Sequence, residues 1–381
     1  MIEQQVLEPA IAPRNAPAFL LDWELTMKCN LDCSYCVTGI YGGHDNTTKH
    51  PPLEECLRTI DFMYRYVDLY MKYKVPGLQK VILNVYGGEA LHHPDILEIL
   101  KATRDKHTEG GYRWHLTITT TTNAIVAPTK MVKIIPFIDH FTVSYHTENS
   151  EKQKNQFKEN LLIIREMKVP LKCVVLMHSQ GQKFADAENM IQWLKDANIE
   201  VLPRQLDSSA DDFNYDVKQI QWFDDLYRSK SSDTVSPEIK STSDTTDLSD
   251  QGRACCGGRQ VCENQNYKER KFFVNNKFPD WSCSVNWFFL YVKQVNRQIF
   301  VNKDCKMNFA GEVGVIGTLD HMDQLITDLE RNLNDQTLPV IQCKKSRCLC
   351  GLCAPKAKTR KEYDSIIVKY HPTYNTERSL T

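Results

Sequence analysis

The sequence lacks a long hydrophobic run, an excess of either charge, and a secretory start. No apolar stretch approaches the roughly 18 residues of a membrane-spanning helix, so a membrane-embedded class is set aside. Across 381 residues, 47 basic side chains face 48 acidic ones, for a net charge of −1. That balance gives no whole-chain attraction for nucleic acid or anionic lipid. Met1 to Arg14 (MIEQQVLEPAIAPR) carries early acids and two prolines, with no apolar segment ahead of a small-residue cleavage site. It argues against secretion and for a reducing, cytoplasmic setting. No internal repeat of about 20–50 residues is visible. Against these absences stand fourteen cysteines, nine of them after residue 250. In a reducing compartment so many thiols read as metal or cluster ligands rather than disulfides.

Between residues 19 and 206, short apolar runs alternate with longer amphipathic ones. The strand candidates are 19–26, 80–86, 115–123, 140–146, 172–178 and 199–206, mostly β-branched or aromatic and bounded by Gly, Pro, Asn or Asp. Helical patterns fall at about 53–73, 93–108, 128–136, 150–168, 183–197 and 216–228. Six β–α units in succession predict an α/β fold with a parallel sheet, a partial (βα)6 barrel. Chemistry in such folds sits at the C-terminal ends of the strands.

The chain divides into an N-terminal extension (1–18), the partial barrel (19–228), a linker (229–254), a cysteine-rich region (255–355) and a polar C-terminal tail (356–381). In residues 229–250, fifteen of twenty-two are Ser, Thr or Asp, a composition that cannot bury apolar surface. Cys56, in a helical pattern, reads as a small buried apolar residue.

Directly after the first strand, Cys29, Cys33 and Cys36 form a C-x3-C-x2-C loop. Three thiolates can hold three irons of a four-iron, four-sulfur cluster and leave the fourth open. A structural zinc loop is the alternative, and it needs a fourth Cys or His nearby, for which His44 is the nearest candidate. The second strand ends in Tyr86-Gly87-Gly88-Glu89-Ala90, the third in Thr122-Asn123-Ala124, the fourth in Ser144-Tyr145-His146.

In this order the motifs resemble those of radical S-adenosylmethionine (SAM) enzymes. The resemblance implies a reducing 4Fe-4S cluster on Cys29, Cys33 and Cys36, whose open iron is chelated by SAM. It implies SAM contacts at Gly87, Gly88 and Glu89, with Asn123 in the position of the family's TNG end, a ribose contact at Ser144, and Tyr35 packing near the adenine. Three positions depart from the usual pattern: Ala90 replaces Pro, Ala124 replaces Gly, and His146 replaces an Asp. His146, His178 and Asp207 end strands four to six and are acid–base candidates by position. Cys173 opens strand five and, facing the lumen, would be a hydrogen donor.

Beyond the linker, Cys283 and Cys305 flank two apolar runs around a polar 294–298 segment, a β-hairpin pattern, followed by a helix near 320–333. The order resembles the SPASM/Twitch extensions of the same superfamily, a C-terminal cysteine-rich domain built on a hairpin and helix. That resemblance implies one or two auxiliary 4Fe-4S clusters, drawn from Cys256, Cys262, Cys283, Cys305, Cys343, Cys348, Cys350 and Cys353, with Cys255 as a further candidate. A single zinc knot on Cys343, Cys348, Cys350 and Cys353 is the competing reading.

The expected activity is reductive cleavage of SAM and hydrogen abstraction from a peptide or protein side chain. Alternatives are a dehydrogenase or epimerase acting on a sugar, aminoglycoside or nucleotide, and a non-catalytic Fe–S or zinc scaffold. A flavodoxin- or ferredoxin-type reductant is the implied partner. The basic stretch 344–361 holds seven Lys or Arg without stacking aromatics, which argues against nucleic acid.

Overall fold

The structure is a computed structural model that describes residues 18–36, 45–73, 80–206, 214–232, 280–302, 314–335, 337–343 and 356–370. Six strands come first: β1 (Phe19–Thr26), β2 (Lys80–Gly87), β3 (His115–Thr122), β4 (His140–Tyr145), β5 (Leu171–Met177) and β6 (Glu200–Gln205). They pair in sequence order, all parallel. The helices between and after them are α1 (Leu53–Tyr73), α2 (Ile96–Glu109), α3 (Pro128–Ile134), α4 (Glu151–Glu166), α5 (Gly181–Asp196) and α6 (Val217–Ser232). The expected β–α alternation is therefore present as a parallel sheet wrapped by helices.

Local chemistry explains the helix boundaries. α1 carries Glu54 and Glu55 in its first turn and Lys72 in its last, matching the helix dipole. It buries Ile60, Phe62, Met63, Tyr66, Val67 and Tyr70 against the sheet, each contributing on the order of 1.5–3 kcal/mol. Ser150 and Gln153 form a reciprocal capping box at the start of α4. α2 begins at Ile96 rather than 93, because Ala90–His92 forms a separate 3-10 turn capped by the Glu89 side chain.

Side chains alternate across the sheet. Tyr145 packs its ring on Phe157 of α4 and donates to Asp186 of α5, so its face of β4 is the helix side. Thr142 and Ser144 face the other way, into the lumen. The lumen row Tyr291–Asp22–Asn84–Thr119 is in register across four strands. It is polar: Thr119 donates to Asn84 Oδ1 at 3.3 Å and Asn84 Nδ2 to Asp22 Oδ1 at 3.2 Å.

The C-terminal hairpin joins the barrel sheet. β7 (Ser282–Cys283) is followed by the hairpin β8 (Phe289–Lys293) and β9 (Gln298–Phe300), antiparallel as expected. β8, however, pairs parallel to β1, so the hairpin extends the barrel sheet to the order β10-β9-β8-β1-β2-β3-β4-β5-β6, where β10 is Gly317–Thr318. The segment expected to be a polar turn has one buried residue, Gln294. Gln294 donates its backbone N–H to Glu24 O at 3.0 Å, and accepts with its side-chain Oε1 from Trp23 Nε1 at 3.0 Å.

α7 (Met322–Asn334) confirms the helix expected after the hairpin; Leu325, Ile326, Leu329 and Leu333 form its buried stripe. β11 (Ile341–Gln342) and β12 (Lys356–Ala357) flank β7 in a small antiparallel sheet. Two expected boundaries are corrected. α6 runs to Ser232, so the linker starts no earlier than 233. Residues 356–370 form β12 and α8 (Arg360–Tyr370) rather than a surface tail: buried Tyr363 accepts a hydrogen bond from Trp287 Nε1 at 3.1 Å.

Candidate active site

The three-cysteine loop leaves β1 and is held from two sides. On the β2 side, Gly88 N–H donates to Thr26 O and Glu89 N–H to Lys28 O, both at 2.8 Å. A Cβ on Gly87 would meet Thr26 O, and one on Gly88 would meet Met27 O and Lys28 O, so only glycine permits this backbone approach.

Glu89 is a buried staple between β2 and β3. Its Oε1 accepts from Leu91 N at 3.0 Å and Thr122 Oγ1 at 2.7 Å, and its Oε2 accepts from Asn123 N at 2.6 Å. Burial raises its carboxyl above the usual range, and those hydrogen bonds pull back. Asn123 Nδ2 donates to Asn30 Oδ1 at 2.7 Å and lies 3.8 Å from Cys29 Sγ. Ala124, standing where the resembled motif has Gly, has φ +55°, a left-handed conformation that costs a residue with a Cβ on the order of 1 kcal/mol. Asn160 of α4 holds that turn by donating to Ala124 O and Val126 O, each at 2.8 Å.

The second clasp comes from β4 and α5. Glu148 accepts from Ser34 N and Ser34 Oγ, both at 2.7 Å, and from Lys183 Nζ at 2.6 Å. Burial would raise its carboxyl, but these partners outweigh it and hold the group below its ordinary value. Lys183 Nζ also lies 3.4 Å from His178 Nε2. Nothing in the sequence singled out Asn30, Glu148, Asn160 or Lys183. They are ordinary polar residues whose role appears only when strand ends converge.

Within this frame Tyr35 lies flat against His146 (interplanar angle 5°) and edge-on to His178. His146 Nδ1 is 3.0 Å from Tyr35 Oη and 3.3 Å from Cys33 Sγ. Burial pushes the His146 imidazole down to about 4, so it is neutral near pH 7. Ser144 is on the lumen face and half-buried.

Cys173 does not match the expectation of a lumenal thiol. It pairs in register with Val143, on Tyr145's helix-facing side, and is wholly buried. Cys56 is likewise buried in the core. Cys283 lies in β7 of the small sheet and Cys343 directly follows β11, where its N–H donates to Trp281 O at 3.0 Å. Asp207, Cys255, Cys256, Cys262, Cys305, Cys348, Cys350 and Cys353 lie outside the described residues.

The donor set suits an iron–sulfur cluster. Three soft thiols occupy one short loop. Burial pushes Cys29 up to about 11 and Cys33 up to about 12, so bound iron would supply the positive charge that these thiolates lack. Among the described residues no three His, Cys, Asp or Glu side chains converge on one ion site.

No family model matches the chain. A curated relative, the AdoMet-dependent heme synthase of Methanosarcina barkeri, is 30% identical over 146 residues, 38% of this chain and 36% of that protein. The match therefore spans about a third of the relative's length. Among solved structures, anSMEcpe with bound AdoMet superposes with a TM-score of 0.51 at 11% identity, over 92% of this chain and 96% of that one. Streptococcus suis SuiB gives 0.44 at 12% identity, over 75% of this chain and 60% of that one. The superposition on anSMEcpe shows a shared fold: this chain carries a partial α/β barrel, with motifs at its strand ends that resemble those of radical SAM enzymes.

Proposed function

We propose that this chain is a radical SAM enzyme that modifies a peptide or protein side chain. The carrying observation is the three-thiol loop at the C-terminal end of β1, clasped by Gly87, Gly88 and Asn123 on one side and Glu148 on the other. Cys29, Cys33 and Cys36 would hold a 4Fe-4S cluster, which when bound would supply the electron for reductive cleavage of SAM.

The chain's own residues position SAM and exclude water. Gly87 and Gly88 let the backbone lie close at the β2 end. Glu89 Oε1 already accepts from two donors, whereas Oε2 accepts from one and keeps acceptor capacity for an ammonium group. Asn123 anchors the loop, Ser144 offers a lumen-facing hydroxyl, and Tyr35 closes the β4 side. Support for a peptide substrate is that anSMEcpe, whose AdoMet-bound form superposes on this chain, has also been solved with AdoMet and the Kp18Cys peptide bound. Cys283 and Cys343, with the cysteines outside the described residues, would ligate one or two auxiliary 4Fe-4S clusters. A flavodoxin- or ferredoxin-type donor in the cytoplasm would reduce the first cluster. No helix among the described residues is long and apolar enough to cross a membrane.

The test is anaerobic reconstitution, iron and sulfide counting, then dithionite and SAM. At four irons per cluster, about eight irons would indicate one auxiliary cluster and about twelve would indicate two. Formation of 5′-deoxyadenosine is expected. Its absence from folded, iron-loaded protein rejects the reading.

A further inference from the structure

Among the described residues, Cys33 alone of the three loop cysteines has both a phenol and an imidazole at its sulfur. His146 Nδ1 is 3.3 Å from Cys33 Sγ and 3.0 Å from Tyr35 Oη, and the Tyr35 phenol also hydrogen-bonds Cys33. The three atoms form a closed triangle. Cys29 has weaker company, with the Leu31 amide at 3.4 Å and Asn123 Nδ2 at 3.8 Å.

The triangle is held from outside. The His146 ring stacks on Tyr35, and Tyr35 rests edge-on against His178. His178 is itself fixed because its Nδ1 accepts from Gln180 N at 3.1 Å. Ser34, between the two loop residues involved, is tied to Glu148 through both its amide and its hydroxyl. A thiolate only accepts hydrogen bonds, so with Cys33 ionised the Tyr35 O–H and the His146 N–H turn toward it, directly or in relay.

We propose that Tyr35 and His146 form a donor pair to the Cys33 sulfur and raise the reduction potential of the SAM-binding cluster. This rests on the assignment of Cys33 as a ligand of that cluster. One-electron reduction by an external donor, dithionite in the test, increases negative charge on the ligand sulfurs. Hydrogen bonds to sulfur favour that more reduced form. His146, which stands where relatives carry an Asp, is thereby a positioning residue and not an acid–base catalyst.

The test is an EPR-monitored redox titration with dithionite of the reconstituted full chain. It follows the signal that changes on adding SAM, which separates this cluster from auxiliary ones. Compared with the unmodified protein, His146→Ala and Tyr35→Phe should shift the midpoint to lower potential. At a fixed ambient potential the reduced-to-oxidised ratio should fall about fivefold, the worth of one net hydrogen bond. His146→Gln, which keeps an N–H donor, should recover much of the shift. Iron content and far-UV circular dichroism verify that each variant is loaded and folded.

Unchanged midpoints in loaded His146→Ala and Tyr35→Phe overturn the inference while leaving the proposed function intact. So does a His146→Gln midpoint as low as that of His146→Ala. Absence of any SAM-responsive signal in the unmodified protein overturns both.

Discussion

Asn123 and Asn30 clasp each other across the site: Asn123 Nδ2 donates to Asn30 Oδ1 at 2.7 Å, and Asn30 Nδ2 donates to Ile125 O at 2.6 Å. The pair fastens the turn after β3 to the residue following Cys29. Asn30→Ala leaves a part-buried amide and a carbonyl without their partner. It should cost about 1–3 kcal/mol and lower iron retained after desalting. Thermal melting and iron assay of the purified variant check both, and an unchanged iron content contradicts the clasp's role.

Gly88→Ala places a Cβ against Met27 O and Lys28 O, backbone atoms that cannot swing aside. The β2 end must then separate from the cysteine loop. Cluster loading should fall sharply while the far-UV spectrum stays that of an α/β protein. Full loading in Gly88→Ala would show that the close approach is dispensable.

Cys173→Ala distinguishes a core thiol from a radical donor. The side chain faces the helix layer, so the substitution should lower stability by roughly 1 kcal/mol. It should leave the yield of 5′-deoxyadenosine unchanged. Chemical denaturation alongside a turnover assay reads both, and lost turnover at retained stability would return Cys173 to the lumen.

Acid should weaken the fold through histidines held neutral. Burial, then the neighbouring His93 and His92, push His50 down to about 4, against about 6.5 unfolded. Between those values the unfolded chain binds more protons, so stability is lost as pH falls from about 6.5 toward 4. His92, His93, His107, His140 and His178 are lowered in the same direction. His50→Gln should therefore reduce, not abolish, the drop in denaturation midpoint between pH 7 and pH 5. An identical drop in the variant would contradict it.

The barrel was legible because its signals are local. Each strand is a short apolar run, each helix an amphipathic one, and the cysteine and Gly-Gly motifs occupy adjacent positions. What was not legible depends on pairings far apart in the chain. No window of sequence shows that β8 lies beside β1, that Gln294 caps Trp23, or that Tyr363 accepts from Trp287 across 76 residues. The orientation of Cys173 was hidden for another reason. A strand buried on both faces shows no alternation to tell lumen from helix side. Glu148 and Lys183 likewise reach the cysteine loop only by folding.

The central claim is that Cys29, Cys33 and Cys36 together hold one cluster whose open iron meets SAM. The most direct measurement is the EPR spectrum of the dithionite-reduced, reconstituted protein with and without SAM. It is set beside a variant with all three cysteines changed to Ala. The account predicts a signal that changes on adding SAM and is missing from the variant, while any auxiliary signals persist. A SAM-responsive signal that survives the triple substitution would contradict it.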